Sequence, residues 1–185
     1  IADGTNTTSL GTYIQSALAA HLHVWFPGGD YLIDAQSLSP RSGSRIYGPG
    51  RLKKTLNVGG YTSDYITLDG VSDVHIIGLK FFAVSCREFG IYIESSSHVL
   101  IERCQFNEPG TANGSGCSPI FVAKNSNKVR ALRNAIFGGQ QGISTGGDKT
   151  GNVDGKVENL LFQGNYITGV DEEAIDINWH THGAI

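Results

Sequence analysis

The stretches SDVHIIGLKF (72–81), SHVLIERCQF (97–106), NKVRALRNAI (127–136) and ENLLFQGNYI (158–167) are one pattern written four times. With Val74, Val99, Val129 and Leu160 taken as equivalent, Ile76, Ile101, Ala131 and Phe162 follow two residues later, and Phe81, Phe106, Ile136 and Ile167 seven later. No gap is needed. A short alternating strand precedes each unit: YITLD (65–69), IYIES (91–95), IFVAK (120–124) and a weaker GISTG (142–146), with AIDIN (174–178) opening a fifth. The units recur at intervals of 25, 30 and 31 residues, and the extra length falls between strands. A constant strand core with a variable interval describes a solenoid whose loops differ.

Residue types choose the solenoid. The repeated positions are β-branched or aromatic at a period of two, and no 3.6-residue pattern lies between them, which argues against leucine-rich and helical repeats. Three short strands per turn, separated by Gly, Asn and Ser, predict an all-β, right-handed parallel β-helix. One coil is too small to bury its inward side chains; coils stacked about 4.8 Å apart bury them as a column. Asn134 and Asn165 share a corner of adjacent coils, where Asn tolerates left-handed backbone and its amide can bond to the Asn above. Cys104 and Leu79 hold that corner in earlier coils, and Cys104 reads as a buried thiol. Cys86 and Cys117 lie in corresponding turns; two unpaired thiols or a disulfide both fit.

Composition narrows the rest. The chain has 185 residues, of which 39% are hydrophobic, enough for one domain with a sizeable core. Twenty-five glycines and only 17% charged residues suit a turn-rich β architecture. A net charge of −3 gives no electrostatic case for nucleic acid or an acidic membrane, and no apolar run approaches a bilayer span. The chain opens with Ile, has no Met and stops inside a coil, as expected of a piece of a longer product.

Toward the amino terminus, Leu10, Tyr13, Ile14, Ala17 and Leu18 fall at helical spacing, with Thr8 or Ser9 as candidate N-cap. A short amphipathic helix there would close the open end of the solenoid. The expected organisation is a cap over 1–63, containing this helix and the first strands, and coils over 64–185. The order DGTNTTSLGTYIQSALAA (3–20), HVWFPGGDYLI (23–33) and SRIYGPG (44–50) resembles the start of the pectate-lyase-like superfamily, which includes phage tailspikes and capsule depolymerases. That resemblance implies a capping helix, β-helix coils, an extracellular or capsular polysaccharide as partner, a secreted or virion-associated protein and a homotrimer. Members include hydrolases, lyases, epimerases and adhesins, so the fold does not choose the chemistry.

Strand alternation sorts groove from core. If Ile66, Ile91, Ile120, Ile143, Ile175 and Ile177 point inward, then Thr67, Tyr92, Phe121, Ser144 and Asp176 form an outward column. Asp69, Glu94, Ala123, Gly146 and Asn178 form a second. Tyr92 beside Phe121 is expected to offer a flat apolar face to a sugar ring, or else to lie under a long turn. Asp171, Glu172, Glu173, Asp176, Trp179, His180 and His182 crowd into twelve residues. Glycosidic hydrolysis needs one carboxyl to protonate the leaving oxygen and a second as nucleophile or base, which assigns Asp176 with Glu172 or Glu173. An eliminating enzyme would use His180 or His182 as base or acid. Asp69 and Glu94, Asn178, Trp179 and His182 complete the expected sugar contacts. No cofactor is called for, and His180 and His182 lack a third ligand at metal-binding spacing. The insertion GGDKTGNVDGK (146–156) is expected to project and wall the groove beside Asp176 with Asp148, Lys149, Asp154 and Lys156.

Overall fold

The computed structural model describes residues 9–33, 37–54, 64–83, 89–107, 118–152, 154–178 and 181–182. Their strands form three parallel sheets, the walls of a β-solenoid of about four turns. The leading sheet stacks Ile66–Asp69, Ile91–Glu94, Ile120–Ala123, Ile143–Gly146 and Ile175–Asp176. The middle sheet runs from His23–Trp25 through Arg45–Tyr47, His75–Ile77, Ser97–Glu102 and Ser126–Leu132 to Val157–Glu158 and Thr181–His182, with Leu161–Gln163 also paired to Ser126–Leu132. The trailing sheet holds Asp30–Leu32, Arg51–Lys54, Lys80–Ala83, Gln105–Asn107, Ala135–Phe137 and Tyr166–Thr168. Stacking thus begins at His23.

The repeat dictates the core. Ile66, Ile91, Ile120, Ile143 and Ile175 are successive Cα partners on one wall. Ile46, Ile76, Ile101, Ala131 and Phe162 are partners on the next, and Leu52, Phe81, Phe106, Ile136 and Ile167 on the third. Phe81 and Phe106 stack with ring centroids 4.6 Å apart and planes 5° from parallel, so the ring spacing matches the rise from coil to coil. Burying each such side chain contributes about 1.5–3 kcal/mol. Ile175 and Ile177 depart from the expected burial: Ile175 keeps register with Ile143, yet the two are 43% and 47% exposed. No described residue lies beyond them to cover that rung.

The helix spans Gly11–Ala20 and buries Ile14 and Leu18 against the first coil. Its capping meets expectation in part, since Ser9 Oγ accepts from Gly11 N–H at 3.5 Å. Leu10 occupies the N-cap position without a side-chain hydrogen bond, and its N–H donates instead to Leu32 O at 2.7 Å. Thr8 lies outside the described residues. Two hydrogen bonds between Gln15 and the backbone of Ser39, at 3.0 and 2.8 Å, pin the helix sideways.

The Asn corner forms, with one correction. Asn134 Nδ2 donates to Asn165 Oδ1 at 3.0 Å, and Asn134 Oδ1 accepts from Cys104 N–H at 2.9 Å. The left-handed residue, however, is the one before: Gly78, Arg103, Arg133 and Gly164 have φ of 74°, 53°, 55° and 67°. Asn supplies the side-chain ladder while its predecessor supplies the bend. Cys104 is a buried free thiol, pushed up to about 12 by burial. Cys86 and Cys117 lie outside the described residues.

Candidate functional site

The outward face of the leading sheet carries the residues that alternation assigned to it. Thr67, Tyr92, Phe121, Ser144 and Asp176 are successive Cα partners, and Asp69 partners Glu94 one coil away. A further column stands beside this one: Asp64, Phe89, Ser118, Gln141 and Glu173, each two residues before its strand's first isoleucine. Coil by coil, the two columns touch. Thr67 Oγ1 donates to Asp64 Oδ2 at 3.0 Å, and Ser144 Oγ donates to Ser118 Oγ at 2.6 Å. Phe89 stacks on Phe121 at 4.3 Å and on Tyr92 at 5.5 Å.

Tyr92 is not an open face. It is 3% exposed, with Phe89 on one side and the Lys149 ammonium 4.8 Å above its ring. Burial and the Glu94 carboxylate, which accepts from Tyr92 Oη at 2.7 Å, push its phenol well above the usual range. Phe121 and Phe89 remain half-buried. Asp69 is exposed, and Glu94 is turned to Tyr92.

The insertion after Gly146 is fastened to the earlier coils at its start. Lys149 Nζ reaches the carboxylate of Asp64, 1% exposed on the side chain, at 2.6 Å, and Lys149 N–H donates to Tyr92 Oη at 3.3 Å. Lys124 Nζ lies 2.6 Å from Asp148 Oδ2, and Asp148 Oδ1 accepts from Thr150 and Asn152 within the loop. The Lys124 ammonium and these donors hold the Asp148 carboxyl well below the usual range. Asp148 and Lys149 therefore strap the loop to the earlier coils rather than wall the space beside Asp176.

That space has its own geometry. Gln141 Nε2 donates to Asp176 Oδ2 at 2.9 Å and lies 3.3 Å from Glu173 Oε2, so one amide nitrogen holds both carboxylates. Ser118 Oγ, donating to Gln141 Oε1 at 3.3 Å, fixes which end of the amide faces them. Asn178 Nδ2 adds a longer contact of 3.4 Å to Asp176 Oδ2, while its N–H donates to Thr145 Oγ1 at 3.0 Å. Glu172 is held separately, accepting from Gln140 Nε2 at 2.6 Å. Gly142 lets the two turns approach: a Cβ there would sit 2.4 Å from Ala174 O. Glu173 is exposed and Asp176 half-buried. His182 pairs with Glu158 on the middle sheet, away from this face. Trp179 and His180 lie outside the described residues.

Gln141 was absent from the sequence-level site, although the repeat contains it. Ile143 and Ile175 are 32 residues apart, and the same step carries Gln140 to Glu172 and Gln141 to Glu173. Lys149 had no such signal, because its partner Asp64 is 85 residues away, outside any repeat interval.

Over 94% of this chain, the structure is similar to an alginate lyase from Paenibacillus sp. str. FPU-7, at 20% sequence identity, a TM-score of 0.71 and 61% coverage of that protein. It is similar also to the A-module of a mannuronan C-5 epimerase from Azotobacter vinelandii, with TM-score 0.65, 13% identity and coverage of 94% of this chain and 56% of that one. The chain shares the parallel β-helix fold of these proteins. PfbA, a surface adhesin of Streptococcus pneumoniae, is similar over 99% of this chain and 60% of its own, with TM-score 0.60 and 14% identity. The chain thus spans less than two thirds of each of these three proteins. No protein-family model and no curated protein matches the sequence.

Proposed function

We propose that the chain acts on an extracellular polysaccharide and cleaves its glycosidic bonds at Glu173 and Asp176. The observation that carries this reading is the shared Gln141 amide. It brings Glu173 Oε2 and Asp176 Oδ2 to one nitrogen, at 3.3 and 2.9 Å, so that both carboxyls stand close enough to act on one glycosidic bond. Asp176, half-buried and held by two amide donors, takes the nucleophile's part. Glu173, exposed and more loosely held, delivers the proton to the leaving oxygen and later draws it from water. Gln141 and Asn178 are positioning residues. The names of two similar structures, an alginate lyase and a mannuronan epimerase, support a polysaccharide as substrate class. The adhesin among them favours a second reading, a glycan-binding segment without catalysis.

Incubation with a panel of acidic and neutral polysaccharides tests the reading. New reducing ends without the ultraviolet absorbance of unsaturated uronates are expected. Asp176→Asn and Glu173→Gln are each expected to slow their appearance about a hundredfold or more. Absorbance growing with the reducing ends would replace hydrolysis by elimination, and parent rates in both variants would remove the carboxylates from the chemistry. Binding without product would leave the adhesin reading.

A further inference from the structure

The outward face of the middle sheet holds a shallow groove of about 500 Å³ that the carboxylate site does not use. Its floor is the partnered column His75, Leu100, Arg130 and Leu161. Along one side stand His98 and Lys128, between Asp73 and Asn159 in the flanking coils.

Two observations mark this face. Asp73, His98, Lys128 and Asn159 all take left-handed backbone, with φ of 56°, 55°, 56° and 54°. Asp, Asn and His adopt it readily; Lys takes it where the stacked coils hold it. The two central coils thus place the nitrogen-bearing side chains of His98 and Lys128 at the corner that Asp73 and Asn159 hold in the flanking coils. Second, among the described residues no carboxylate lies within ion-pair distance of Lys128 or Arg130. The polar neighbour of Lys128 is His98 Nε2, 3.2 Å away.

We propose that this groove is a second, non-catalytic subsite that binds a uronate polysaccharide lying along the solenoid axis. A uronic acid joins an apolar C–H face to a carboxylate, and the groove alternates leucine with cation in the same way. Leu100 and Leu161 meet ring faces, while Lys128 and Arg130 meet carboxylates. The coil rise of about 4.8 Å is close to the advance of one sugar in an extended chain, so successive coils can serve successive sugars. Single-stranded nucleic acid fits less well, since its bases need broad aromatic platforms and no Phe, Tyr or Trp lines the groove. The inference rests on the polysaccharide reading for its ligand class and not on the Glu173–Asp176 pair.

Calorimetric titration with a polyuronate hexasaccharide tests it in the Asp176→Asn background, where turnover is blocked. Adding Lys128→Gln and Arg130→Gln, both exposed positions, is expected to weaken binding at least tenfold, and the carboxyl-reduced neutral hexasaccharide is expected to bind as weakly to the parent. Unchanged affinity in the added variants, equal binding of the neutral oligomer, or equally tight binding of single-stranded DNA would each overturn the groove. Product formation by the parent alongside unchanged affinity would sink the groove and keep the hydrolase; tenfold weakening with no product from any polymer would do the reverse.

Discussion

Asn134 shows how much one side chain does inside a stacked corner. Its amide accepts from Cys104 N–H and donates to Ile101 O and to Asn165 Oδ1, joining three coils. Asn134→Ala leaves buried backbone groups without partners, a loss of about 1–3 kcal/mol, measurable as a lower urea midpoint at unchanged slope. The pairing of Asn134 with Asn165 was legible because it obeys the repeat. The bend was misassigned by one residue, since sequence preference points to Asn while the backbone places Arg103 and Arg133 there. Long side chains can take left-handed backbone when stacking over-determines it.

At the scale of elements, strand faces were readable and loops were not. Alternation with period two sorts inward from outward residues whatever the loops do, so the leading column from Thr67 to Asp176 emerged from the sequence. The column from Asp64 to Glu173 sits in turns, where no alternation marks a side. The strap of residues 148–152 is held by charge, and that gives it a pH dependence. Asp148 has a folded-state pKa below its unfolded value of about 3.9. The stabilisation it brings is therefore full above about pH 4 and is lost as pH falls through the folded value. Hydrogen exchange at the Thr150 and Asn152 amides, slow at neutral pH, is expected to lose protection in acid. Asp148→Asn is expected to reproduce that loss at pH 7.

On the scale of the whole molecule, stability follows position along the stack. Ile120 is buried between Ile91 and Ile143, whereas Ile175 is 43% exposed on the last described rung of that sheet. Ile120→Ala is expected to cost about 2–5 kcal/mol and Ile175→Ala about 1 kcal/mol or less, a contrast that chemical denaturation resolves. In a ladder of rungs that grip only their neighbours, either end can fray without consulting the other. The Lys149–Asp64 clasp breaks that independence, fastening the fourth strand of the leading sheet to its first across 85 residues. The rungs between them must then open together, which couples the interior of the stack and adds the closure of a long loop to the search for the folded state.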